Sequence, residues 1–154
     1  MTKQELRQQI RQEIKRLSAA DRDTQSLFIC LQILGTAEWQ QAQTVMLYEA
    51  LPDEVSLQLL IDDARGSGKE LIIPDQSAHA SIIPDEVLTQ IDLAIIPGRA
   101  FTRQGKRMGR GGGWYDRILP KLHCPKWGVA FSCQIKKDIP TDPWDVKMNK
   151  VVIA

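Results

Sequence analysis

Between Pro97 and Arg117 the chain reads PGRAFTRQGKRMGRGGGWYDR, and the residue types in that run could bind an anion. Gly98, Gly105, Gly109, Gly111, Gly112 and Gly113 are interleaved with Arg99, Arg103, Lys106, Arg107 and Arg110. Glycine lets the backbone take positive φ and bring its N–H groups close to a ligand. Guanidinium forks match the oxygens of phosphate or carboxylate. A helix starting straight after Gly113 would add its open N–H groups to the same positive end. Trp114 and Tyr115 would place aromatic faces beside the loop, suited either to stacking on a heteroaromatic ring or to ordinary core packing. Asp116 could hold a divalent cation against phosphate oxygens, or serve only as a first-turn carboxylate favoured by the helix dipole.

Two familiar phosphate motifs do not fit. No Lys-Ser or Lys-Thr follows the glycines, as a P-loop requires, and Trp114 stands where the dinucleotide fingerprint needs its last glycine. On composition the segment is therefore another kind of anion site or a surface turn without function.

Such a loop needs elements to position it. Leu6, Ile10, Ile14 and Leu17 predict an amphipathic helix from Thr2 to Leu17, opened by a Thr2/Glu5 capping box. Ser18 and Asp21 cap a second helix that stops at Gly35. Thr44–Leu51, Glu70–Pro74, Ile91–Pro97, Trp127–Phe131 and Lys150–Ile153 are short apolar runs that read as buried strands. A helix over Ser56–Arg65 and another over Tyr115–Leu122, interrupted by Pro120, lie between them. Strand–helix alternation with continuous apolar strands predicts a three-layer α/β/α fold, Rossmann-like, with an open, mostly parallel sheet in a single domain. Ligands in such sheets bind outside the carboxyl ends of the strands. Leu51–Glu54, Pro74–Ala80 and Pro97–Gly113 leave strands at that edge.

With 154 residues, 43% of them hydrophobic and 25% charged, one packed domain is expected. The formal net charge of +1 supplies no global attraction for nucleic acid or membrane. Cys30, Cys124 and Cys133 form no C-x-x-C pair, so inert thiols are expected rather than a disulfide or zinc site. No apolar leader or membrane-length run is visible, so a soluble cytoplasmic protein is expected. His79 and His123 pair with no nucleophile at a recognisable spacing and are not expected to be catalytic.

PGRAF followed by GKRMGRGGGWYD resembles the signature of the 5-formyltetrahydrofolate cyclo-ligase family, also called methenyltetrahydrofolate synthetases. The family carries tyrosine where Trp114 stands. The resemblance continues at Lys3-Gln4-Glu5-Leu6-Arg7, at Tyr48–Val55 (YEALPDEV) and at Pro140–Asp145, where Trp144 replaces the family's usual histidine. It implies an enzyme that uses ATP and Mg²⁺ to cyclise 5-formyltetrahydrofolate, with or without a polyglutamate tail, to 5,10-methenyltetrahydrofolate. Arg110 and Asp116 are the implied catalytic residues. ATP would be held by Lys3, Arg7, Arg107, Gly109, Arg110, Gly111, Gly112, Gly113, Trp114 and Tyr115. The folate would meet Tyr48, Glu49, Glu54, Arg110, Trp114 and the glycines 111–113, with Trp114 and Tyr48 flanking its ring. Asp116 and Asp145 would hold Mg²⁺. The chain departs from the family between Pro74 and Ile91, where a longer insert with a Gly-x-x-Glu-Pro element is usual, and this implies a shallower folate pocket. A monomer that binds neither nucleic acid nor membrane is expected. The competing readings are a nucleotide-binding relative without catalysis, an RNA-binding protein using the basic run, and a sugar-phosphate or acyl-CoA enzyme.

Overall fold

The apolar runs become the strands of one parallel sheet in the computed structural model, which describes residues 1–75 and 83–154. The chain order is α1 (Lys3–Arg16), α2 (Ala19–Leu34), α3 (Ala37–Gln41), β1 (Thr44–Met46), α4 (Gln58–Gly66), β2 (Glu70–Ile72), α5 (Asp85–Leu88), β3 (Leu93–Ile96), β4 (Ala100–Phe101), β5 (Arg107–Met108), α6 (Trp114–Ile118), β6 (Lys126–Ala130) and β7 (Lys150–Ile153). Short 3-10 turns cover Leu119–Lys121 and Ser132–Gln134. Five strands pair in the order β2-β1-β3-β6-β7, all parallel.

Side chains alternate across this sheet, as the pleat requires. Val45, Leu93, Ile95, Trp127 and Val129 pack with Ile10 and Ile14 of α1, Ile29 and Ile33 of α2, and Leu60 of α4. Met46, Ala94, Ile96 and Ala130 face the other way, onto Leu88, Tyr115, Ile118, Leu119 and Leu122. Two apolar layers on one sheet give the expected α/β/α sandwich. Each fully buried aliphatic side chain contributes about 1.5–3 kcal/mol, against about 0–1 kcal/mol for an exposed ion pair. The core therefore holds the frame, and the polar contacts below shape the site.

The helix starts follow their caps. Thr2 accepts from the Glu5 amide at 3.1 Å while the Glu5 carboxylate accepts from the Thr2 amide, and Ser18 with Asp21 repeats the arrangement. Gly35 closes α2. Helix α3 was not visible in the periodicity; it is held by Trp39, which is buried and donates its indole N–H to Asp63 at 2.8 Å. Pro120 falls in the 3-10 turn that ends α6.

Strand β1 is shorter than its apolar run. Leu47 still donates to the Ile72 carbonyl at 3.0 Å, after which Tyr48–Leu51 leave the ladder toward the carboxyl edge. The stretch Pro97–Gly113 is also more structured than one glycine loop. Its first half folds into the antiparallel β4–β5 hairpin, in the register Ala100↔Met108 and Phe101↔Arg107. The hairpin turns at Gly105, where φ is +99°. Only Gly109–Gly113 remains as an open loop. The Phe101 ring anchors this hairpin to the sheet: a Cβ on Gly98 would lie 2.7 Å from its Cζ, and one on Gly128 2.5 Å from its Cε1. Both glycines are there for that close approach.

Candidate active site

The three segments expected at the carboxyl edge meet around one cavity of about 630 Å³. After β1 come Glu49, Ala50, Leu51 and Glu54; after β2, Asp75; after β3, Pro97. The hairpin and loop contribute Arg107, Gly109, Arg110, Gly112 and Gly113, and α6 contributes Trp114, Tyr115 and Asp116. The far end of the expected Pro74–Ala80 segment, and His79 within it, lie outside the described residues. His123 is exposed and does not line this cavity.

Each charged group is held by a specific contact. Arg107 is buried, with its side chain 5% exposed, and donates Nε to the Pro97 carbonyl at 2.7 Å. Its Nη1 lies 3.4 Å from Asp116 Oδ1, and its guanidinium sits 5.3 Å from the Tyr115 ring centre. Burial pulls the Arg107 guanidinium below its ordinary value, while Asp116, Tyr115, Asp145 and Glu54 oppose that pull. An arginine stays charged under such a shift. Tyr115 is also buried, and burial raises its phenol. Trp114 meets Tyr115 edge-on at 4.8 Å, so one aromatic packs inward and the other lines the cavity wall as a partly exposed face.

Arg110 extends from the loop tip back over the β1 edge. Its Nη1 donates to Asp53 Oδ1 at 2.8 Å and lies 3.8 Å from Glu54 Oε2. Asp53 also accepts from Arg99 Nη1 at 2.6 Å. Burial would raise the Asp53 carboxyl, but the Arg110 and Arg99 guanidinium groups outweigh it and hold the group below its ordinary value. Glu54 shows the opposite balance. Burial raises its carboxyl, and the Leu51 amide and Arg110 only partly offset that. Its Oε1 accepts from the Leu51 amide at 2.9 Å, and its Oε2 is buried without a hydrogen-bond partner.

Arg7 reaches the loop from α1 and donates Nε to the Gly109 carbonyl at 3.0 Å. A Cβ on Gly111 would touch its guanidinium at 3.7 Å, and φ at Gly111 is +114°. Lys3, one turn earlier, points to another loop and pairs with Asp142 at 3.0 Å. The Asp142 amide donates to Asp145 Oδ2 at 2.8 Å. Asp142 and Asp145 line a smaller recess of about 310 Å³ together with Arg107, which thus borders both spaces. Asp116 pairs with the Arg107 guanidinium and Asp145 shares a recess with it, and among the described residues no three acidic, histidine or cysteine side chains gather as a resident metal cage.

One expected position is corrected. Tyr48 cannot flank a ligand: its side chain is fully buried, and its hydroxyl donates to the Val55 carbonyl at 2.7 Å. The chain leaves the ladder after Leu47, and this break in the alternation puts Tyr48 in the same core cluster as Leu47, while Glu49 is exposed. Two contributors were not anticipated. Asp53 entered the sequence reading only as part of the Leu51–Glu54 segment, and its two arginine partners are 46 and 57 positions away. Buried Gln134 donates to the Gly98 and Arg99 carbonyls at 2.8 and 3.0 Å and accepts from the Phe131 amide at 2.8 Å, pinning the start of the hairpin. No local pattern marks it.

The family model for the 5-formyltetrahydrofolate cyclo-ligase family matches residues 1–86 and 78–154. The chain belongs to this family. A 5-formyltetrahydrofolate cyclo-ligase from Mus musculus is 27% identical over 187 residues, covering 97% of this chain and 92% of the mouse protein. The solved 5,10-methenyltetrahydrofolate synthetase of Mycoplasma pneumoniae superposes with a TM-score of 0.83 at 27% identity, over 99% of this chain and 98% of that one. The synthetase of Aquifex aeolicus gives the same score and identity, over 99% and 90% of the two chains. Membership makes the chain a cyclo-ligase-type enzyme and ties it to folate and one-carbon chemistry. The cyclo-ligase signature is the hairpin, loop and helix start described above, so its glycines and aromatics have visible tasks. The cysteines have none in the site: burial raises the Cys30 and Cys124 thiols to about 11. Among the described residues no helix is long and apolar enough to cross a membrane.

Proposed function

We propose that this chain uses ATP, with Mg²⁺, to cyclise 5-formyltetrahydrofolate to 5,10-methenyltetrahydrofolate, releasing ADP and phosphate. The observation that carries the reading is a single cavity combining an aromatic wall, two guanidinium groups and a buried carboxylate. An amide oxygen leaves poorly, so the formyl oxygen is first phosphorylated; the substrate's own N10 then closes the ring and phosphate departs. The protein's share in phosphoryl transfer is positioning and charge stabilisation.

Each residue has a role on that basis. Trp114 supports the folate ring, Glu49 meets its polar edge, and Glu54 meets the formyl region. Arg107 and Arg110, with the amides of Gly111–Gly113, hold the phosphoryl group as it moves between nucleotide and folate. Arg7 keeps the loop in place through the Gly109 carbonyl and adds positive charge behind it. Lys3, paired with Asp142 of the smaller recess, faces the nucleotide. Magnesium typically takes one or two carboxylates and completes its shell with water and phosphate oxygens. Asp116, paired with Arg107, and Asp145, in the recess that Arg107 also borders, suit a cation that arrives with the nucleotide. When bound, Mg²⁺ would neutralise phosphate charge.

Thermal unfolding with Mg·ATP and 5-formyltetrahydrofolate, separately and together, followed by an assay for the methenyl product, tests this reading. A ligand that binds only the folded state raises its stability by mass action. Stabilisation by ATP with no product would instead identify a nucleotide-binding relative without catalysis.

A further inference from the structure

We infer that Glu54 accepts the proton of the substrate's ring-closing amine, in addition to contacting the folate. This rests on the cyclo-ligase reading above. When N10 bonds to the formyl carbon, the electron pair of the C=N5 bond returns to N5 and N10 becomes a positively charged arylammonium. Its proton must leave before the ring can settle as the methenyl product. Glu54 takes that proton, the N–H pair stays on N10, the N5 pair re-forms C=N, and the C–O bond breaks with its electrons leaving on phosphate. An arylammonium is a strong acid, so a carboxylate is basic enough. Glu54 returns the proton to solvent once product has left.

The geometry singles out Glu54 among the carboxylates of the cavity. Leu51 and Glu54 exchange two hydrogen bonds, each 2.9 Å, which fix the carboxylate and occupy Oε1. Oε2 is then the only buried side-chain polar atom among the described residues without a hydrogen-bond partner, and its nearest cation, Arg110 Nη1, stands 3.8 Å away, beyond hydrogen-bond distance. A buried acceptor left open in a native fold calls for an explanation, and a ligand proton supplies one. Its side chain is 4% exposed, so bulk water does not fill the role. The other carboxylates are engaged or open to water. Asp53 is divided between two arginines, Asp116 is 56% exposed beside Arg107, and Glu49 and Asp75 are exposed. The charged and titratable groups facing Glu54 are Arg110, Arg99 and Asp53 near the β1 edge, Arg107 and Tyr115 from the signature segment, and Tyr48 from the core. Burial keeps its carboxyl above the ordinary value, which brings a carboxylate base closer to working pH.

The test compares wild type with Glu54→Gln, measuring kcat/KM against pH and single-turnover formation of ADP and of methenyl product. Wild type should show an acid-side limb on which activity rises with pH. Glu54→Gln should lose that limb and slow methenyl formation by about 10²–10⁴-fold, the usual range for general-base catalysis, while ADP still forms in the first turnover. A Glu54→Gln enzyme that keeps the limb and the rate overturns the proton role, and so does one that loses ADP formation together with product. Should Glu54→Gln not fold, Glu54→Asp must retain the limb at a reduced rate; a limb absent from Glu54→Asp also overturns it. A wild-type chain that makes no methenyl product strikes down the cyclo-ligase reading itself, whereas an active wild type with an unaffected variant removes only this step.

Discussion

Asp53 and Arg110 are joined by a 2.8 Å ion pair that ties the tip of the glycine loop to the edge of β1. The same carboxylate holds Arg99, whose side chain is 9% exposed, at 2.6 Å. Asp53→Asn should therefore release two guanidinium groups at once. Removing one partner of a buried charge pair costs about 3–5 kcal/mol, and partial exposure of Asp53 places this case near the lower end. A fall in Tm together with a raised KM for 5-formyltetrahydrofolate is expected. An unchanged Tm would mean that the pair contributes nothing to folding.

The pH dependence of that contribution follows from the sign of the shift. The Asp53 carboxyl is held below its ordinary value in the folded chain by the Arg110 and Arg99 guanidinium groups. Its stabilisation is present above that value and is lost as pH falls through the lower folded value. The stability gap between wild type and Asp53→Asn should be widest at neutral pH and should close under acid. Denaturant titrations at several pH values measure it.

Arg110→Ala removes a cation placed to follow the moving phosphoryl group. Losing one preorganised contact of this kind costs about 2.7–4 kcal/mol, or roughly 10²–10³ in kcat. Steady-state kinetics on the variant decide the matter, and wild-type turnover would take Arg110 out of the mechanism.

Asp116→Asn should weaken Mg²⁺-dependent ATP binding with little loss of fold, because the side chain is 56% exposed. Calorimetric titration of ATP at rising Mg²⁺ gives the readout. Identical Mg²⁺ curves for the two proteins would refute a metal role.

Gly98→Ala tests the packing behind the loop. The new methyl would lie 2.7 Å from Phe101 Cζ and 3.2 Å from the Met108 carbonyl. Overpacking of this kind costs about 1–3 kcal/mol. Phe101→Leu in the same chain should restore part of the lost stability, since the ring is the nearer obstacle. A double-mutant cycle that shows no coupling would place the strain elsewhere.

Much of the frame was legible because its causes are local. Thr2 with Glu5, and Ser18 with Asp21, cap their helices through side chains three residues apart, so the spacing alone reveals them. The strands were legible as apolar runs because a parallel sheet is buried on both faces, although their ladders are shorter than the runs. The β4–β5 hairpin was not, since its strands of two residues each, Ala100–Phe101 and Arg107–Met108, are too short to show an alternation, and Phe101 is seated by its fit against Gly98 and Gly128. Tyr48 was misplaced for a related reason: composition gives the strand, while the side on which each residue falls depends on where the chain leaves the sheet.

The amino-acid order by itself determined the secondary elements and their α/β alternation, and it marked the segment Gly109–Asp116 as a candidate place for chemistry. These follow from periodicity, caps and residue type, which act over a few positions. Only the tertiary structure decided which distant groups meet there. Asp53 comes to Arg99 and Arg110, Arg7 to the Gly109 carbonyl, and Gln134 to the start of the hairpin, while Glu54 lines the cavity with its Oε2 buried and without a hydrogen bond. Such pairings depend on how strand ends converge at one edge of the sheet, and no local pattern in the chain encodes that convergence.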